Sequence, residues 1–364
     1  MDNRIKNIKV NLLAAPVQSG FQDATRKVET VGMCVVRVMT DDGLTGLGVT
    51  YHEVGGEAIK ELIEKYYAPK IIGRTPFETE SIWTELFHYA RGVGRKGLSF
   101  CALSAVDIAL WDLKGKILNM PLFRLLGGTN NKVPVYGSGG WTSFDDDQLV
   151  EEAVTMVKKG YKAIKLKVGV EGGKNIRRDV IRCRKVREAI GPDIEFMVDA
   201  NNAFFAADAV RLANEIRQYD ISLFEEPVFA DDIPGLRQFK EGCDIPLGTG
   251  EHEYTKWGAR DLLLANAVDY LQMDASRIGG YTEMIKVAAI SEAFNKALAP
   301  HAMELIHSHI VAAAPNGVFL EKLFLFDDIT KMVFKDPPQP VNGILTIPED
   351  KPGLGLELND SYIW

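Results

Sequence analysis

Ala163-Ile164-Lys165-Leu166-Lys167-Val168, then Ile194-Glu195-Phe196-Met197-Val198-Asp199, Ser222-Leu223-Phe224-Glu225 and Ile245-Pro246-Leu247-Gly248 form the stretch on which the fold turns. Each segment is a short, largely apolar run of strand length, and the residues between them carry helical periodicity. Residues 133–136 precede this set, and 270–273, 297–299 and 318–320 follow it, so eight such runs recur roughly every 25 residues. Strands alternating with helices make parallel βαβ units, and eight of them imply closure into a barrel. Periodicity alone leaves an open doubly wound sheet as the competing arrangement.

Upstream of the barrel pattern the character differs. Residues 8–15 and 33–40 are apolar and β-branched, and Asp41-Asp42-Gly43 separates 33–40 from 45–49 as a hairpin turn. Helical periodicity follows in 57–67, 77–90 and 100–118. The expected organisation is an α+β unit over residues 1–130, a barrel over 131–334 and a tail over 335–364. In the tail, Pro337-Pro338 and a strand-like segment at 344–347 suggest a return to the first unit.

Composition limits the function classes. The 364 residues, 46% hydrophobic and 25% charged, match a soluble globular protein with sizeable cores. A formal charge of -8 with dispersed Lys and Arg gives no electrostatic reason to bind nucleic acid. Cys34, Cys101, Cys183 and Cys243 form no CxxC pair, so a reduced, cytoplasmic setting is expected. The first residues lack the apolar run of a signal peptide and no 18-residue apolar stretch occurs, so no membrane anchor is expected.

In a parallel barrel the reactive face lies where strands end. The second strand carries Lys165 and Lys167, and the next six end in Asp199, Glu225, Glu251, Asp274, His301 and Glu321. A single carboxylate at a strand end commonly caps the next helix or meets a surface lysine. Asp199, Glu225 and Glu251, each 26 residues from the next, would instead converge and repel unless a cation neutralised them. An all-oxygen set suits a hard cation such as magnesium, with manganese possible, and argues against zinc. Lys165 and Lys167 alternate on one strand and so share a face. Their repulsion and burial are expected to depress at least one pKa, yielding a base near neutral pH; a pair on a solvated edge is the plainer alternative. Asp274 and His301 would be neighbours, the carboxylate fixing the imidazole as a second base or an acid. His307 and His309 read as packing or surface residues, although their HxH spacing leaves a metal alternative, and His252 beside Glu251 is placed to line the pocket. Gly248-Thr249-Gly250 holds two of the three glycines of a dinucleotide fingerprint and precedes acids, which disfavours a nicotinamide enzyme.

Taken together, Lys165-Leu166-Lys167, Val198-Asp199-Ala200-Asn201, Phe224-Glu225-Glu226-Pro227, Gly250-Glu251, Asp274 and His301 resemble the mandelate racemase subgroup of the enolase superfamily. The segment from Ala102 to Asp112 and the tail residues Pro352-Gly353-Leu354-Gly355 share the likeness, which spans nearly the whole chain. The resemblance implies an α/β fold: a modified TIM barrel, (β/α)7β, under an α+β capping domain. It implies Asp199, Glu225 and Glu251 as magnesium ligands, Lys167 as one base assisted by Lys165, and the His301–Asp274 dyad opposite. Glu321 matches the position of a carboxylic acid held protonated against the substrate's carboxylate. Asn201, Arg277, Tyr51, His52 and a loop at 17–23 are candidate substrate contacts. The implied reaction is removal of the proton α to a carboxylate, with homo-oligomers common. Pro300-His301-Ala302-Met303-Glu304-Leu305 and the run from Asp274 to Gly280 resemble aldarate and aldonate dehydratases, so dehydration of a sugar acid is expected; racemisation, epimerisation or cycloisomerisation is the alternative, and a silent sugar-acid binding protein is the different class.

Overall fold

In the computed structural model, which describes residues 3–362 and for Gln18 and Ser19 the backbone only, the chain begins with an antiparallel sheet of β1 (Ile5–Gln22), β2 (Lys27–Thr40) and β3 (Thr45–His52). The Asp41-Asp42-Gly43 turn joins β2 to β3, with Gly43 at φ 91°, a conformation that favours glycine. Residues 17–22, read as part of a loop, belong to β1 instead. Pairing with β2 resumes beyond an irregularity after Pro16, and Phe21 and Gln22 lie opposite Val28 and Lys27. Of the candidate loop only Asp23 lies beyond the strand.

Helix Leu98–Ile117 packs across this sheet. Gly46 and Gly48 of β3 permit the approach, since a Cβ there would stand 2.2 Å from the Ala109 carbonyl oxygen and 1.9 Å from that of Ala105. The helix's buried Asp112 accepts hydrogen bonds from the peptide N–H of Leu47 and of Leu354, both at 2.7 Å, and pairs with Lys116 at 2.7 Å. Sheet, helix and C-terminal segment therefore meet at one carboxylate.

From residue 132 parallel strands take over: β4 (Lys132–Gly139), β5 (Ala163–Lys167), β6 (Glu195–Asp199), β7 (Ile221–Glu225), β8 (Leu247–Thr249), β9 (Tyr270–Leu271), β10 (Ala297–Leu298) and β11 (Leu320–Leu323). They pair in chain order from β4 to β10, and β11 returns to β4. Leu298 bridges Gly317 and accepts from the Val318 N–H at 3.1 Å, which closes the ring. One helix separates each strand from the next, so both faces are covered and the strands read as apolar runs. The competing open sheet is thereby excluded. β12 (Ile344–Thr346) pairs antiparallel with the start of β4.

Polar contacts seat the cap on the barrel. Asp107 accepts from the Thr282 N–H at 2.9 Å, Ser104 Oγ accepts from the Gly279 N–H at 2.7 Å, Trp83 Nε1 donates to the Gly279 carbonyl at 3.0 Å, and Thr50 Oγ1 donates to the Ser276 carbonyl at 2.8 Å. Thr50 sits next to Tyr51, so these bonds hold the end of β3 at the barrel mouth. No described helix is long and apolar enough to cross a membrane.

Candidate active site

The C-terminal ends of the strands bring most of the expected ionisable residues into one buried group. Lys165 on β5 places Nζ 2.5 Å from Glu225 Oε2, 2.8 Å from Glu321 Oε1 and 3.9 Å from Asp199 Oδ2, and donates to the Tyr136 hydroxyl at 3.2 Å. Lys167 is bonded to Asp199 Oδ2. Burial opposes both charges, but Glu225 and Glu321 push Lys165 well above its ordinary value, and Asp199 carries Lys167 to about 12. The expected depression of a lysine pKa does not hold here. The surrounding carboxylates outweigh the repulsion between the two ammonium groups.

Glu321 also departs from expectation. It lies within β11 with Lys165 at 2.8 Å, and the Ala302 N–H donates to its other oxygen at 2.8 Å. Burial favours the acid form, but Lys165 and then His301 hold the carboxyl well below the usual range, so it is ionised rather than protonated.

Asp199 is fully buried at the end of β6; its Oδ1 accepts from the Asn201 N–H at 2.8 Å and its Oδ2 from the Asn201 amide at 3.3 Å. Asn201 therefore braces Asp199. Glu225 Oε2 accepts from Lys165 and from Gln272, while its buried Oε1 has no hydrogen-bond partner among the described residues. Burial pushes Glu225 up to about 8, and Glu251 is raised well above its ordinary value by burial and then by Glu226, Glu225 and Asp199. Such like-charge crowding, with a buried carboxylate oxygen left over and only oxygen donors in the expected set, fits a hard divalent cation. Among the described residues, the ligand atoms that converge within 4.8 Å belong to Glu226, Glu251 and His252, while Lys165 engages Glu225 and Lys167 engages Asp199.

The dyad forms between the ends of β9 and β10. His301 Nδ1 lies 3.1 Å from Asp274 Oδ2, and His301 Nε2 lies 3.5 Å from Glu251 Oε2. Burial works against the Asp274 carboxylate, yet hydrogen bonding to His301 keeps it well below the usual range. For His301 the order reverses: burial lowers its pKa and Asp274 only partly restores it. Tyr51 packs beside His301, ring centroids 6.0 Å apart, and the Arg277 guanidinium lies 4.6 Å over the Tyr51 ring. Arg277 Nη1 donates to the Glu251 carbonyl at 2.8 Å, which ties it to the acid cluster. His52, the other candidate substrate contact at the end of β3, packs against the backbone. Its ring packs over Gly32 and Gly56, where an added Cβ would stand 2.3 and 2.5 Å from it.

Residues 148–362 match the family described as enolase C-terminal domain-like, and residues 7–127 match the mandelate racemase / muconate lactonizing enzyme N-terminal domain. The chain belongs to the mandelate racemase subgroup of the enolase superfamily. This subgroup member is 32% identical to arabinonate dehydratase of Saccharolobus solfataricus, over 89% of its own length and 87% of the relative's. It is 31% identical to D-galactarolactone cycloisomerase of Agrobacterium fabrum, over 98% and 97%. It also superposes with a TM-score of 0.92 on L-talarate/galactarate dehydratase of Salmonella typhimurium liganded with Mg and L-lyxarohydroxamate, at 32% identity over 99% of this chain and 92% of that one.

Sequence reasoning passed over three residues at this mandelate racemase-type site: Glu226, Gln272 and the positioning of His307. Glu226 was visible in the Glu-Glu-Pro motif, whereas Gln272 carries no signal in a single sequence. Of the packing, surface and metal-ligand alternatives for His307, the structure shows packing: it is fully buried in helix Glu304–Ala313. Its Nε2 accepts from the Ala275 N–H at 2.9 Å and its Nδ1 lies 2.8 Å from the Ala302 carbonyl, so Nδ1 carries the proton. One imidazole thus ties together the backbone of Ala275 and Ala302, the residues that follow Asp274 and His301. With Nε2 accepting from a peptide, it has no proton to give the Asp274 oxygen 3.3 Å away. His307→Phe is expected to lower kcat about 100-fold with little change in KM. His307→Gln, whose amide offers one acceptor and one donor, should restore much of it; equal loss in both variants would reject the positioning role.

Proposed function

We propose that this protein dehydrates a sugar acid to a 2-keto-3-deoxy acid by way of an enolate. The observation that carries the reading is the pairing of Lys167 on β5 with the His301–Asp274 dyad after β10 around one carboxylate-lined mouth, in a chain whose relatives include sugar-acid dehydratases. Asp199, Glu225 and Glu251 would hold magnesium, or manganese. When bound, the cation supplies positive charge for the substrate carboxylate and the enolate oxygens, and it engages the Asp199 charge that otherwise favours the Lys167 ammonium.

A proton α to a carboxylate is very weakly acidic, so its removal needs charge stabilisation fixed in advance. Lys167 takes that proton from one face, and Lys165, held against Glu225 and Glu321, adds a fixed positive charge beside it. The bond from the β-carbon to its hydroxyl then breaks, with His301 giving the departing oxygen a proton and water leaving. Asp274 stabilises the imidazolium from which that proton comes. The resulting enol takes up a proton at the β-carbon and becomes the 2-keto acid. The relationship to D-galactarolactone cycloisomerase favours one second reading, in which the same enolate is reprotonated and no water is lost. Incubation with magnesium and a panel of aldonic, aldaric and uronic acids, with semicarbazide detection, separates the two: a keto acid is expected, and an isomeric acid without keto acid would replace this reading with the second.

A further inference from the structure

We infer that the site takes aldonates, sugar acids with one carboxylate, and discriminates against aldarates, which carry a second at the far end. The inference rests on the sugar-acid reading above and names the class within it.

Beside Glu251 the mouth opens into a cavity of about 450 Å³ whose lining includes Asp23, Arg26, Lys96, Asn202, Asp231 and Tyr254. The part of a substrate remote from the reacting carbons would lie in such a space. Its two long cations are already committed. Arg26 pairs with Asp23 at 3.2 Å and Glu53 at 2.7 Å, and Lys96 with Glu253 at 3.3 Å and Asp231 at 4.0 Å. His252, also in the lining, has Nε2 3.5 Å from Glu226 and 3.6 Å from Glu251, so each of these three basic side chains already has a carboxylate partner before any substrate arrives. Arg277, beside Glu251, is tied to the Glu251 carbonyl. An incoming second carboxylate would lose hydration and would have to compete with these carboxylates for each basic side chain.

The neutral groups lead to the same class. Asn202 gives its amide N–H to Glu226 Oε2 at 2.7 Å, which sets the orientation of the amide. The Asn202 Oδ1 that results is buried and has no hydrogen-bond partner among the described residues. A buried acceptor of this kind requires a donor, which a hydroxyl supplies and a carboxylate does not. A neutral, hydroxyl-bearing chain end satisfies both the charge balance and this oxygen.

The test uses matched pairs of equal configuration, D-gluconate with D-glucarate and D-galactonate with D-galactarate, with the magnesium-loaded protein. Turnover and α-deuterium incorporation from heavy water are both measured. In a reactive pair the aldonate is expected to have the higher kcat/KM by about 100-fold. An aldarate that matches or exceeds its partner overturns the inference and leaves the dehydratase reading intact. If no acid of either pair exchanges its α-proton, the sugar-acid reading falls and the inference with it. Glu53→Gln, which frees Arg26 of one partner outside the cavity lining, should raise the aldarate's kcat/KM about tenfold with the aldonate's unchanged; no gain overturns the ion-pair explanation.

Discussion

His301→Asn is expected to abolish keto-acid formation, lowering kcat by about 1,000-fold, while α-deuterium incorporation from heavy water persists. The two readouts part because Lys167 and His301 are assigned different steps. Lys167 is bonded to Asp199 on β6, whereas His301 is held through Asp274 and belongs to the far part of the ring. Asparagine keeps a polar amide near Asp274 but cannot act as an acid at neutral pH. Lys167→Met, in contrast, should stop both exchange and keto-acid formation. Loss of exchange in the His301 variant, with exchange retained in the Lys167 variant, would show that the two assignments must be interchanged.

Glu251→Gln is expected to reduce turnover by about 1,000-fold or more and yet leave the fold at least as stable as before in the presence of EDTA. Glu251 is 5% exposed, and Glu226, Glu225 and Asp199 all raise its proton affinity. Removing one of these charges relieves repulsion, so the variant should melt no lower than the parent without metal. With magnesium the order should reverse, because a ligand that binds only the folded state stabilises it in proportion to ln(1 + [L]/Kd) and the variant has lost part of that affinity. Thermal melts with and without magnesium, read beside calorimetric binding, check both halves. An undiminished magnesium shift in Glu251→Gln would remove Glu251 from the ligand set.

The barrel was legible because parallel strands covered on both faces become apolar runs at a steady interval, and the ionisable residues were legible because that architecture places strand ends at one mouth. Protonation was not legible in the same way. Glu321 looked like a neutral acid until its partner proved to be Lys165 at 2.8 Å, and the lysine pair looked self-repelling until each ammonium proved to lie on a carboxylate. The sign of such a shift depends on distances across strands, which spacing along the chain does not encode. The same holds for His52 and Tyr51, adjacent residues of which one packs on Gly32 and Gly56 and the other beside His301. His307 shows the converse limit, since its helical setting was readable, whereas its burial and its bonds to the Ala275 N–H and the Ala302 carbonyl depend on how that helix sits on the barrel.

Removal of the proton α to a carboxylate at this mouth is tested most directly by mass-spectrometric deuterium incorporation in heavy water with magnesium and the panel of aldonic, aldaric and uronic acids. Magnesium-dependent label is expected at the α-carbon of recovered substrate or isomer, or at the β-carbon of the keto acid, and is expected to be abolished in Lys167→Met. Product formation in full with the α-proton retained, or label that appears equally in EDTA, would contradict it.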